Sequence, residues 1–195
     1  VIDRTGDAPT VDLQKLVAGF GFTGMSVDYR SPLKAVTNAK GEGTFNLDSE
    51  TLRIDIESAR LLDMDITAAE LEFINIIQAG AGKADIFIKL NGPLKSALTY
   101  VRDEPIGVNT QIDVANSAGQ ADLAVNIAFP TTADVALEDV DIDVKGTLRD
   151  VSLPNVLKGL TLSSGPFNLS VSDNALRVDG SWQLAGRPIT LDYRE

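Results

Sequence analysis

Apolar and polar residues alternate with a period of two along most of the chain. That is the pattern of strands with one covered face and one wet face. Leu52, Ile54 and Ile56 alternate with Arg53, Asp55 and Glu57. Leu62, Met64 and Ile66 alternate with Asp63, Asp65 and Thr67. Ala84, Ile86, Ile88 and Leu90 repeat the motif, although Phe87 occupies the polar side. Leu123, Val125, Ile127 and Phe129 form another run, and Val140, Ile142 and Val144 stand between aspartates. Leu176, Val178, Trp182 and Leu184, then Ile189, Leu191 and Tyr193, close the chain in the same way.

Turn-forming residues separate these runs: Asp48-Ser49-Glu50, Gly80-Ala81-Gly82, Asn116 to Gly119, Ser172-Asp173-Asn174 and Ala185-Gly186. All suit tight connections, so the strands are read as hairpin-linked. Parallel pairing would need helical crossovers, and little helical pattern is present to supply them. One helix stands out after Asn91-Gly92. Pro93 suits a first helical turn, and Leu94, Ala97, Leu98 and Val101 form an amphipathic stripe centred on Leu98, ended by Pro105. A weaker helix is read from Val11 to Val17 with Thr10 as cap, and a short turn from Asn155 to Lys158. The expected fold is mainly β. It is a long antiparallel meander of roughly ten strands, forming a curved, groove-like sheet with one short amphipathic helix packed on it.

The chain, residues 1–195, is read as a single β-rich module. A faint repeat runs through it. Pro32, Pro93 and Pro154 are evenly spaced, as are Phe45, Ile106 and Phe167. Phe45-Asn46-Leu47 recurs as Phe167-Asn168-Leu169, and Leu52-Arg53-Ile54-Asp55 as Leu176-Arg177-Val178-Asp179. A unit of about 60 residues is implied. No signal peptide is read at Val1, and the pattern is already under way there, which predicts a fragment of a larger protein. No run reaches the roughly 20 apolar residues of a membrane-spanning helix.

Composition narrows the chemistry. With 44% apolar residues the chain can build a sizeable core or apolar groove. A formal net charge of −11, spread along the sequence, repels phosphate backbones and argues against nucleic-acid binding. It gives no general attraction to anionic headgroups either, so lipid contact would rest on apolar surface. The chain has no cysteine and no histidine. Disulfides, thiolate nucleophiles, Ser-His-Asp catalysis and histidine metal sites are therefore excluded.

Carboxylate-only chemistry is left, and the pairs Asp55/Glu57, Asp63/Asp65 and Asp139/Asp141/Asp143 are its candidates. Their spacing is that of an outward strand face, and they lack the glycine-centred turn and distal glutamate of a calcium loop. A solvated, aggregation-resistant sheet face accounts for them. A carboxylate glycosidase would need two inward acids in a cleft. Gly19, Gly21 and Gly24 spell a loose G-x-G-x-x-G, but Met25 to Tyr29 follows as a strand rather than a helix, so no dinucleotide site is expected. Aromatic residues are few and dispersed, as for core packing. No cofactor, metal or enzymatic activity is expected.

The order of segments resembles a known family. Phe22 to Tyr29 is followed by Pro32, then by Gly41-Glu42-Gly43-Thr44-Phe45 and a hairpin. Gly92-Pro93-Leu94-Lys95-Ser96-Ala97-Leu98, Ala124 to Pro130, Leu148 to Pro154 and the closing Leu176 to Tyr193 segment complete the series. Together they resemble the large AsmA-like envelope proteins of the YhdP type, over nearly the whole chain. The resemblance implies a periplasmic segment whose parent protein is anchored in the inner membrane. It implies stacked β-units forming an apolar groove that moves phospholipid between inner and outer membranes and supports envelope integrity. The implied partners are phospholipid acyl chains and neighbouring segments of the same parent protein. It implies no catalytic residues.

On this reading the groove candidates are Leu52, Ile54, Ile56, Leu62, Met64, Ile66, Leu123, Val125, Ile127, Val140, Ile142, Val144, Leu176, Val178 and Trp182. The alternative is a structural or protein-interaction β-sandwich module in which the same residues close into a core. Whether the apolar face is covered separates the two.

Overall fold

Ten strands follow one another through a single antiparallel sheet, and the order in the sheet is the order in the chain. The computed structural model describes residues 2–3, 10–11, 15–29, 32–77, 80–103, 106, 112–132, 135–157, 159–172 and 175–194. A separate two-stranded piece pairs β1 (Ile2–Asp3) with β2 (Thr10–Val11). The main sheet begins with β3 (Val17–Val27), β4 (Val36–Asn46), β5 (Thr51–Leu61) and β6 (Met64–Ile74). It continues through β7 (Lys83–Pro93), β8 (Ala118–Pro130) and β9 (Asp141–Leu157). It ends with β10 (Leu160–Ser172), β11 (Ala175–Leu184) and β12 (Arg187–Arg194). The sheet does not close into a barrel, so β3 and β12 are its two edges.

One α-helix among the described residues, α1 (Leu94–Arg102), follows β7 directly. Pro93 stands at its N-cap, one position earlier than the sequence suggests, and Asp103 is its C-cap. Leu94 is the most deeply buried of the stripe, while Ala97 and Leu98 pack half-buried against the same cluster. The centre of the docked stripe is therefore Leu94 rather than Leu98. The helix rests on β7 and β8 and on the 3-10 turn Val114–Asn116. Lys95 Nζ donates to the Ala115 carbonyl at 2.9 Å and ties helix to turn. No helix among the described residues is long and apolar enough to cross a membrane.

Val11 lies in β2 and Val17 opens β3, so neither is helical; residues 12–14 lie outside the described residues. Valine favours the pleated backbone over a helix. Asn155 to Leu157 continues β9 rather than forming a turn. Leu62 and Asp63 form the tight turn between β5 and β6, with Leu62 at a positive φ of 55°. Leu62 is thus a turn residue and not a strand residue. Asn116 ends the 3-10 turn, and Ala118-Gly119 already belongs to β8. Pro105, Lys158, Asp173 and Asn174 lie outside the described residues.

The strands are longer than simple alternation suggests because the alternation slips phase inside them. In β5, Ile56 and Ala59 are both withdrawn from solvent while Glu57 and Ser58 are exposed. The same three-residue step separates Val36 from Ala39 in β4 and Ile66 from Ala69 in β6. Register shifts mark this line where β3 pairs β4, β4 pairs β5 and β6 pairs β7. A second line crosses β8 to β10, where pairing shifts between Ala118 and Gln120 and between Ser164 and Phe167. Between them in β9, Leu148 and Val151 are buried and Arg149 and Asp150 exposed. Such bulges bend a strand and increase its twist. Here they also restore the apolar side chains to one face.

Candidate functional site

Pairing aligns the apolar positions into rows that run across the strands. Ile54, Leu71, Ile86, Ile127 and Ile142 stand side by side from β5 to β9. Beside them run Ile56, Ala69, Ile88, Val125, Val144, Val171 and Leu176, from β5 to β11. A third row joins Ala59, Ile66, Leu90, Leu123, Gly146, Leu169 and Val178. A fourth contains Ala121, Leu148, Phe167 and Gly180. On β4 the first two rows meet Gly43 and Gly41, and the Phe20 and Phe22 rings of β3 lie over these glycines. A Cβ at either position would collide with the ring, so the edge phenylalanines fill the gaps that glycine leaves.

The rows differ in cover. Met64, Ile66, Leu90, Ala121, Leu148 and Phe167 are buried, together with Leu94 of α1. Phe167 stacks on Trp182, ring centroids 3.5 Å apart at 16°, next to Gly180. Trp182 Nε1 has no hydrogen-bond partner, so the side chain serves here through its ring. By contrast Ile54, Ile56, Leu71, Ile86, Ile88, Ile127, Ile142 and Val144 are only half-buried. Among the described residues, the substantial backbone contacts of β4, β5 and β6 are with their sheet neighbours. Ile56, Leu71 and Ile88 still pack against the buried cluster, whereas Ile54, Ile86, Ile127, Ile142 and Val144 lie farther along the face and stay half-buried.

The candidates read from sequence therefore divide. Met64, Ile66 and Trp182 are buried at the covered end. Ile54, Ile56, Val125, Ile127, Ile142, Val144 and Leu176 belong to the two half-buried rows. Leu123 and Val178 sit in the third row. Leu52 pairs with Phe73 beyond the first row, and Val140 precedes β9. Leu71, Ile86, Ile88 and Val171 complete the rows; alternation marks Ile86 and Ile88 as strand residues, while Leu71 and Val171 join through register. The alternation Glu70-Leu71-Glu72-Phe73 was the available signal for Leu71.

The acidic residues occupy the opposite face. Asp55, Glu70, Asp85, Asp141 and Asp143 line a shallow depression of about 500 Å³ with Arg53 and Phe87, and Leu71, Ile86 and Ile127 of the first row also reach its lining. Among the described residues no group of three acids is placed to hold a metal ion. Arg53 donates to Glu72 Oε1 at 2.6 and 2.9 Å, and Arg60 pairs with Asp65 at 3.5 Å. These exposed ion pairs are worth little individually and keep the outer face wet.

A polar latch holds the covered end. Ser96 Oγ of α1 donates to Asp63 Oδ2 at 3.5 Å, and Tyr100 and Tyr29 share a 2.5 Å hydroxyl contact. The helix is thereby tied to the β5–β6 turn and to the chain leaving β3. Partial burial raises the Tyr29 phenol above its ordinary value although the residue stays 46% exposed, and its hydrogen bond to Tyr100 adds to this. Burial also raises Tyr100, against a lowering contribution from the same bond. Both groups bind their protons more tightly in the folded chain. Their contribution to stability is fully present below the ordinary tyrosine value of about 10 and is lost as pH rises beyond it. The melting temperature should thus fall more steeply above that pH in the native chain than in the Tyr29→Phe/Tyr100→Phe variant. Equal slopes would remove the latch from the account.

Comparison with protein-family models, with curated proteins and with solved structures returned no match for this chain.

Proposed function

We propose that this chain is a non-enzymatic segment of a periplasmic AsmA-like protein, supplying an apolar β-face for phospholipid acyl chains. In this reading it works joined to neighbouring segments of a parent protein anchored in the inner membrane. The lipid passes between inner and outer membranes, in support of envelope integrity. The observation that carries the reading is the pair of apolar rows crossing β5 to β9, in which Ile54, Ile86, Ile127 and Ile142 stay half-buried. Their span across five strands is roughly 20 Å. Each methylene withdrawn from water onto such a surface gains about 0.8 kcal/mol. The contacts are non-directional, which suits sliding more than tight capture.

The covered end, with Met64, Phe167 and Trp182 buried together, favours a second reading as a structural or interaction module whose core is simply small. Photocrosslinkers separate the two. Placed at Ile142 on the apolar face, a crosslinker in the parent protein in cells should capture phospholipid. Placed at Asp143 on the acidic face, it should not. Absence of lipid at Ile142, or equal capture at both positions, would leave the structural module.

A further inference from the structure

The two edges of the sheet are unlike. β12 carries Arg187 and Pro188 at its start, both exposed, and charge and proline are the usual guards of an exposed edge. β3 has neither in Val17–Val27. Along it only Phe22 is partly buried; Val17 is 60% and Phe20 48% exposed. The rings of Phe20 and Phe22 fold inward over β4, so they do not screen the outer backbone. Pairing to β4 is regular from Val17 to Phe22 and shifts after it. Among the described residues no strand pairs with its outer side, where one more strand can satisfy the backbone groups.

Gly19 and Gly21 flank Phe20 symmetrically, and the residues beyond them, Ala18 and Phe22, are unlike in size but both apolar. Antiparallel pairing of two such strands, with a two-fold axis at Phe20, sets Gly19 of one copy against Gly21 of the other. Ala18 then faces Phe22, and the apolar side chains of both copies share one face. We infer that the Val17–Phe22 edge is a self-pairing surface through which two copies of this chain join into one sheet. Such an isologous contact closes on itself. It brings a chain of net charge −11 together along an uncharged strand. An axis perpendicular to the sheet keeps the two apolar faces on the same side and doubles the length of the rows.

Sedimentation velocity on the full chain tests this. A Cβ at Gly19 or Gly21 would come no closer than 3.8 Å to its neighbours, so both positions accept a side chain without disturbing the sheet. In the pairing inferred here, Gly19→Lys/Gly21→Lys puts like charges directly opposite one another across the two-fold. The native chain should sediment as a concentration-dependent dimer, and the lysine variant should self-associate about tenfold more weakly or worse. Gly19→Glu/Gly21→Glu should fail alone in the same way, and a mixture of the two variants, each with an unchanged circular dichroism spectrum, should recover the dimer. A native chain that stays monomeric overturns the inference. So does a lysine variant that dimerises like the native chain, or a mixture that does not pair.

Discussion

Phe167→Ala is expected to lower the unfolding free energy by about 3–5 kcal/mol, the range for truncating a large buried aromatic. Phe167 is 0% exposed and stacks on Trp182. Its ring also fills the space beside Gly180, where an added Cβ would stand 2.6 Å from Phe167 Cδ1. Glycine has no side chain with which to refill that space, so the hole cannot collapse from that side. The lost ring therefore leaves both an unstacked indole and an unfilled gap. Denaturant titration measures the loss. A change below about 1 kcal/mol would show that the ring is not enclosed as described.

Met64→Asp should unfold the chain at room temperature, whereas Ile142→Asp should leave it folded. Met64 is 2% exposed, packed within the cluster that includes Leu94 of α1. A carboxylate there must be desolvated without a partner, at several kcal/mol, against a total stability of about 5–15 kcal/mol for a typical domain. Ile142 stands in the half-buried first row. There a carboxylate can reach water, and the loss is confined to contact area, within about 2 kcal/mol. Circular dichroism of the two variants reads the difference directly. If Ile142→Asp also unfolds the chain, the row is a closed core and the acyl-chain reading falls with it.

The antiparallel meander was legible because its signal is local. Each run such as Leu123 to Phe129 states its own alternation, and turn residues such as Ala185-Gly186 state where the chain reverses. With hairpins the neighbour in sequence is the neighbour in space, so strand order needs no further information. The bulge lines were less legible. Their mark is an apolar step of three instead of two, as from Ile56 to Ala59 or from Leu148 to Val151. Read one strand at a time, that step looks like the end of a strand. Only the coincidence of such steps in β4, β5 and β6 identifies them as one feature of the sheet.

The candidate site was half legible. Alternation marks which residues share a face, so it groups Ile54, Ile127 and Ile142 without their register. It does not mark what covers that face. Met64 and Ile142 are alike in sequence context, each between aspartates, yet α1 packs into the cluster that buries one and leaves the other half-open. The difference lies in where a helix of nine residues comes to rest. Burial of Leu94, the latch from Tyr100 and the bond from Lys95 fix that position, and all three depend on partners distant in sequence.

A sheet whose strands touch only their sequence neighbours can change length without being redesigned. Removing one strand would reverse the direction of every strand after it. Removing a hairpin restores both direction and facing, and only one seam must be rejoined. Insertions and deletions in such a chain are therefore tolerated in units of two strands, each altering the apolar face by roughly 10 Å. Variation of that kind would change how far the face reaches while leaving its width and chemistry as they are.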